Sequence, residues 1–245
     1  LGLGLQAIRR GDCDYLLAGG FDAMLNPIGV AGFCLLGALS THNDTPQSAS
    51  RPFDLTRNGF VLGEGAAFLV LEAYDKARAR GAKIYAELAG EGNTNSCYRI
   101  TDSHPEGDGA FEAIQGALKD AGLQADAIDY VNAHGTSTKM NDISETRALK
   151  RTFGPRAGKV AVSSTKGQLG HLISAAGAIE GALTALSLYH QTAPMTAHLT
   201  EPDPECDLDY VPGQARAMKI GAALSDSFGF GGSNSVLAFK HADYA

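Results

Sequence analysis

Residues 128–138 read IDYVNAHGTST, and residues 160–189 read VAVSSTKGQLGHLISAAGAIEGALTALSLY. In the first stretch Ile128–Ala133 reads as a buried strand that leads straight into His134. In the second, Val160–Ser163 is a short apolar run, followed by a glycine-rich turn that carries Lys166. From Gly170 to Tyr189 the residues are small and apolar on nearly every side, which predicts a long helix. A strand covered on both faces reads as a continuous apolar run, and a helix apolar all round must be buried. Two such strand-to-helix passages predict an α/β protein with a buried sheet. His134 stands at the carboxyl end of its strand, where folds of this class present their ligands.

The rest of the chain fits around these passages. Leu1–Arg10 reads as a helix stopped by Gly11, and Asp14–Ala18 as a short buried strand. Ala66–Glu72 predicts a second buried strand, Glu72–Arg80 a charged helix ended by Gly81, and Ile84–Ala89 a further strand. Glu91–Gly109 has little apolar pattern and reads as a long loop. Phe111, Ile114, Leu118 and Ala121 have helical spacing, closed by Gly122, and Asn141–Arg151 predicts a helix capped near Asn141 or Asp142. Leu208–Val211, Ile220–Leu224 and Val236–Phe239 read as short strands. Nothing resembles a flexible linker, and the division into residues 1–82 and 83–245 is one of structural halves.

Composition narrows the function. Of 245 residues, 20 are Lys or Arg and 27 are Asp or Glu, so the net charge of −7 argues against non-specific binding of nucleic acid. The longest apolar candidate for a membrane span, residues 169–188, is interrupted by His171, Ser174, Glu180 and Thr184, so no membrane association is expected. Cys13, Cys34, Cys97 and Cys206 form no C-x-x-C pair, which predicts a reducing compartment, the cytoplasm or an organelle interior, rather than a disulfide or zinc framework. The 30 glycines cluster in Gly19–Gly20, Gly59–Gly65, Gly167–Gly170 and Phe228–Gly232, which marks tight turns and close backbone approaches.

Three residues are the candidates for chemistry. His134 is either a core histidine satisfied by a carbonyl or a group facing a ligand. His171 is either a polar cap or an imidazole held neutral at the start of the long helix. Lys166 is either an exposed turn lysine or a buried ammonium that needs a carboxylate, for which Glu145 is the candidate. The glycine-rich turns match neither phosphate-loop pattern, and His134 with His171 lacks an apparent third metal ligand.

HGTST (His134–Thr138), SSTKGQLGHLISAAGAIE (Ser163–Glu180) and SFGFGGSN (Ser227–Asn234) resemble, in order and spacing, the β-ketoacyl synthases, closest to the elongating synthase II type. LAGG (Leu17–Gly20), SRPFD (Ser50–Asp54) and GFVLGEGA (Gly59–Ala66) extend the resemblance over the chain. It implies a thiolase-like fold, a layered α-β-α-β-α sandwich of duplicated halves whose first half is incomplete here. It implies decarboxylative Claisen condensation of malonyl-acyl-carrier protein with an acyl thioester in fatty acid biosynthesis. It further implies His134 and His171 as catalytic histidines, Lys166 as the active-site lysine and Glu145 as the acid of its network. Thr136 and Thr138 would grip the pantetheine arm, Phe230 would gate the site and form part of an oxyanion hole, and Ile28, Gly29 and Phe33 would line the acyl pocket. The implied partners are an acyl carrier protein, a second copy in a homodimer and an N-terminal remainder of the same enzyme; no metal or other cofactor is implied.

The nucleophilic cysteine of that family has no counterpart among the four cysteines and is expected a few residues before Leu1. A polyketide or specialised-lipid ketosynthase, or a non-catalytic chain-length-factor-like subunit, are the alternatives. Retention of His134, Lys166 and His171 speaks against the last. Lys139, Met140, Asn141 and Asp142 follow HGTST where the family usually has proline and then Gly-Asp, and Gly37 stands where elongating synthases often carry an arginine.

Overall fold

The computed structural model describes residues 1–244. Helix α1 (Gly2–Arg9) leads to strand β1 (Tyr15–Asp22) and helix α2 (Pro27–Leu35). Asn26 caps α2 by accepting from the Gly29 N–H at 2.9 Å, and Pro27 opens the helix with its φ already set. Strand β2 (Gly65–Glu72) pairs antiparallel with β1, Tyr15 opposite Glu72 and Asp22 opposite Gly65. Helix α3 (Tyr74–Ala79) is followed by β3 (Glu87–Asn95), α4 (Asp108–Asp120), β4 (Tyr130–Asn132), α5 (Lys139–Phe153) and β5 (Ala161–Ser163). Then come the single turn α6 (Lys166–Leu169), α7 (Ala176–His190), the paired two-residue strands β6 (Thr192–Ala193) and β7 (Arg216–Ala217), and β8 (Ala222–Phe228) and β9 (Ser233–Lys240).

The main sheet has the order β3-β9-β8-β4-β5. Strand β4 runs parallel to β5 and β8, while β9 is antiparallel to both β8 and β3. Helices α4 and α5 cover one face, around Ile114, Val131, Leu149, Val162 and Leu224. Helix α7 covers the other, where Leu188 and Ala185 meet Tyr130, Ala223 and Phe239. The same helix also packs on β1 and β2, so it lies between two sheets. That is why α7 is apolar on nearly every side: its Ala, Gly and Leu positions have protein in both directions. The layers run helix, sheet, helix, sheet. The far face of the β1–β2 pair carries Tyr15, Leu17, Phe21, Phe68 and Val70, each more than half exposed. Among the described residues no helix is long and apolar enough to cross a membrane.

Several expected elements differ. The long helix begins at Ala176 rather than Gly170, because Gly170 (φ +75°) and Ile173 (φ +43°) are left-handed and break it. The segment expected as a loop from Glu91 is strand as far as Asn95: β3 is an edge strand, so it needs no continuous apolar run. Residues 208–211 form no strand; the Val162 N–H donates to the Asp209 carbonyl in an isolated contact. The start of the Ile84–Ala89 run is irregular, with β3 opening at Glu87.

Candidate active site

Strand β4 delivers His134 to a cavity of about 720 Å³ beside the ends of β8 and β9 and the start of α7. The wall includes His134, His171, Thr136, Thr138, Phe60 and Phe230. The two imidazoles meet edge to face, centroids 5.4 Å apart and planes at 84°. Both are buried.

His171 precedes α7 by five residues, so the helix N-terminus does not explain its charge state. It is held instead by its own backbone. Its N–H donates to the Val61 carbonyl at 2.7 Å, and its carbonyl accepts from the Gly63 N–H at 3.0 Å. The glycine-rich segments 59–65 and 167–170 thus clasp each other, and a Cβ on Gly63 would stand 2.5 Å from the Leu169 carbonyl. The left-handed Ile173 then aims its N–H at His171 Nδ1, 3.1 Å away. Nδ1 is therefore an acceptor and the ring proton sits on Nε2. Phe60 closes on the same ring edge-on at 5.0 Å.

His134 has the same tautomer for a different reason. Its Nδ1 lies 3.4 Å from Lys166 Nζ, an atom that can only donate. Burial pushes the pKa of both histidines well below the ordinary value, and the Lys166 charge lowers both further. The site thus holds two neutral rings, each with its proton on Nε2.

Lys166 does not pair with Glu145. Its ammonium meets Glu180 Oε1, on the second turn of α7, and the carbonyl of His134. Glu145 is occupied by the His134 turn: Oε1 accepts the His134 N–H at 2.7 Å and Oε2 the Gly135 N–H at 2.8 Å. α5 begins at Lys139, so its second turn points back beneath that turn, while α7 passes directly under Lys166. Burial raises the Glu145 pKa to about 7 although both backbone donors oppose the shift. Glu180 is raised by burial too, against the pull of Lys166. A third carboxyl, Asp226 on β8, is fully buried, and neither of its oxygens has a hydrogen-bond partner. Burial and the charges of Glu145 and Glu180 raise its pKa well above the usual range. Glu180 lies within the quoted SSTKGQLGHLISAAGAIE run, as the acid closing AAGAIE; Asp226 gave no signal in sequence beyond an acid in a strand.

The remaining expected residues fall at different depths. Thr136 and Thr138 stand in the wall with hydroxyls 2.8 Å apart. Phe230, half exposed at the mouth, stacks on Phe33 with centroids 6.5 Å apart, and Phe33 meets Phe60 edge-on at 5.7 Å. Ile28 is 86% exposed and Gly29 packs against Met24; neither these two nor Phe33 borders this cavity. No cysteine borders it either: Cys206 is buried elsewhere, its thiol pushed up to about 12 by burial, and Cys34 and Cys97 are exposed.

The stacked sheets and the helix shared between them define a thiolase-like fold, and the paired imidazoles mark the cavity as its candidate active site. Residues 1–77 match the family model described as the β-ketoacyl synthase N-terminal domain, and residues 85–200 the one described as its C-terminal domain. The chain belongs to the β-ketoacyl synthase family. It is 50% identical over 240 residues to the 3-oxoacyl-[acyl-carrier-protein] synthase 2 of Synechocystis sp. and 48% identical to that of Coxiella burnetii; each match covers 98% of this chain. The chain spans 58% of the length of either relative. Among solved structures, a β-ketoacyl synthase from Burkholderia phymatum superposes with a TM-score of 0.92 at 44% identity, covering 98% of this chain and 58% of that one. A type II PKS ketosynthase, bound to a hexaketide and in complex with its acyl-carrier protein, gives 0.96 at 41% identity, covering 98% and 59%.

Proposed function

We propose that this chain supplies the decarboxylating half of the active site of a β-ketoacyl-[acyl-carrier-protein] synthase, an acyltransferase of fatty acid biosynthesis. The observation that carries this reading is the pair of neutral imidazoles, each with its proton on Nε2, in one cavity wall. Two Nε2–H donors converge on the thioester oxygen of a malonyl group. As the bond to the malonyl carboxylate breaks, carbon dioxide leaves and its electron pair passes to the thioester as an enolate. Each preorganised donor that tightens on this charge is worth ~3–4 kcal/mol. The enolate carbon then attacks the acyl thioester on a cysteine, the new carbon–carbon bond forms and the thiolate departs. Lys166 and Glu180 keep His134 in its tautomer.

The absence of any cysteine from the cavity wall, and the greater length of the relatives, support a nucleophile contributed by sequence outside these 245 residues. Thr136 and Thr138 grip the pantetheine arm of the carrier protein, Phe230 gates the mouth and lends its N–H to the oxyanion, and Ile28, Gly29 and Phe33 line the acyl pocket. We read residues 1–82 and 83–245 as the two ketosynthase halves, the assembly as a homodimer, the compartment as the cytoplasm, and the reaction as needing no metal or other cofactor. The superposition on a type II PKS ketosynthase favours a second reading, in which the acyl substrate is a polyketide chain.

The test uses the full-length protein. Carbon dioxide release from malonyl-carrier protein and acyl transfer to the enzyme are measured for wild type and His171→Ala. Loss of the first with retention of the second is expected. Equal loss of both half-reactions, or no carbon dioxide from wild type, sinks the reading. Products made from octanoyl and from β-ketoacyl primers separate the fatty acid reading from the polyketide one.

A further inference from the structure

Arg57 is the only buried arginine among the described residues, with no exposed surface at all. It borders no part of the cavity, yet all three of its side-chain nitrogens donate just behind the cavity wall. Nη1 donates to Asp203 Oδ2 at 2.7 Å and to the Asp54 carbonyl at 2.9 Å. Nη2 donates to the Lys139 carbonyl at 3.2 Å, and Nε to the Thr138 carbonyl at 3.3 Å. Nε also lies 3.1 Å from Asp142 Oδ2. Asp142 in turn accepts the Phe53 N–H at 2.9 Å and the Ser137 N–H at 3.3 Å.

The Thr138 and Lys139 carbonyls and the Ser137 N–H belong to one turn. Ser137 is left-handed (φ +72°), a strained conformation for a residue with a side chain. Its hydroxyl accepts the Arg51 N–H and its carbonyl the Gly59 N–H, each at 3.0 Å. The segment 51–59 therefore wraps the turn 136–139 from behind, with the guanidinium at its centre. On the other side the same turn presents the Thr136 and Thr138 hydroxyls to the cavity.

A buried ion network is a weak source of stability compared with apolar packing of the same volume. What it supplies is geometry. A planar fork holds two consecutive carbonyls and two carboxylates around one rigid group, which a flexible ammonium cannot do. We propose that Arg57 is a positioning residue for substrate binding: it sets the turn that places Thr136 and Thr138 against the pantetheine arm, without touching the substrate or the histidines. This rests on the function proposed above.

The test is made in the full-length enzyme with two malonyl thioesters, one of pantetheine and one of methanethiol, which has no amide to grip. For Arg57→Lys, we expect KM for malonyl-pantetheine to rise about tenfold while kcat for decarboxylation stays within twofold. KM for the methyl thioester should not change. Asp203→Asn, which frees one branch of the fork and leaves the buried charges on the turn paired, should shift the same KM about threefold in the same direction, and it carries the test if Arg57→Lys does not fold. Unchanged KM in either folded variant, or parallel changes in kcat for both thioesters, overturns the proposal. A wild type that decarboxylates neither thioester sinks the functional reading itself, and the proposal with it. A wild type active on both, with variants that leave the KM ratio unaltered, sinks only the role of Arg57.

Discussion

Lys166 and Glu180 form a buried ion pair from opposite sides of the turn that carries His171. Fourteen positions separate them in sequence, and α7 brings them together by passing beneath α6. The pair holds a positive charge against His134 Nδ1 and its carbonyl, and that charge helps to keep both imidazoles neutral. Acid tolerance of the chemistry follows. The folded pKa of each histidine lies well below 6.5, so decarboxylation in the full-length enzyme should persist as pH falls from 7 to 5.5. Stability behaves in the opposite way: the unfolded histidines bind protons that the folded ones refuse, so it should decline as pH drops below about 6.5. A rate of carbon dioxide release that falls with an apparent pKa near 6.5, with the protein still folded, would contradict the neutral pair.

The partner of Lys166 can be checked by comparing two isosteric changes. Glu180→Gln leaves an ammonium buried without its nearest counter-charge, a loss of about 3–5 kcal/mol. Glu145→Gln keeps one acceptor for the His134 and Gly135 N–H groups and leaves the other unmet, which costs about 1–3 kcal/mol. Denaturant midpoints should therefore rank wild type, Glu145→Gln, Glu180→Gln in falling order. The reverse ranking of the two variants would make Glu145 the true counter-charge.

The legibility of this site in sequence divides along physical lines. His134 and His171 were readable because strand ends and glycine-rich turns are local patterns. The carboxylate for Lys166 was not, because the choice between Glu145 and Glu180 depends on which helix crosses beneath the lysine. Likewise the buried strands at Val160–Ser163 and Ile128–Ala133 were readable from Val160, Val162, Ile128, Tyr130 and Val131, whereas Glu91–Asn95 concealed a strand because an edge position permits polar residues. The helix start at Ala176 was hidden by left-handed Ile173, a conformation that the identity of the residue argues against. Arg57 gave no signal either: a buried arginine looks like any charge in a turn until its five contacts are assembled.

Asp226 is a carboxyl that the fold buries without a hydrogen bond, close to the charges of Glu145 and Glu180. Its folded pKa is raised, so the stability attached to its protonated form is fully present below the unfolded value and is lost as pH rises towards the folded one. Asp226→Asn removes the charge at constant volume. At pH 8 the substitution should stabilise the full-length protein by about 1–3 kcal/mol. The gain should shrink as pH falls towards the unfolded value of 3.8, and vanish below it, where the wild-type carboxyl is protonated in both states. Thermal melts across that range test the sign, and a variant destabilised equally at every pH would show that Asp226 is ionised and paired.

The β1–β2 pair turns one face to α7 and leaves Tyr15, Leu17, Phe21, Phe68 and Val70 more than half exposed on the other. Apolar side chains scattered singly over a surface are ordinary, but a band on one face of two paired strands marks a surface that another element covers. A two-stranded sheet with both edges free also presents unpaired N–H and C=O groups as a template for further strands. Expressed by themselves, these 245 residues should therefore self-associate and bind an apolar dye, and their thermal transition should be broad. Phe21→Lys together with Val70→Lys places charge at the centre of the band and should reduce both association and dye binding. Sedimentation of the unaltered 245 residues as a dye-silent monomer with a sharp melt would show that the band needs no cover.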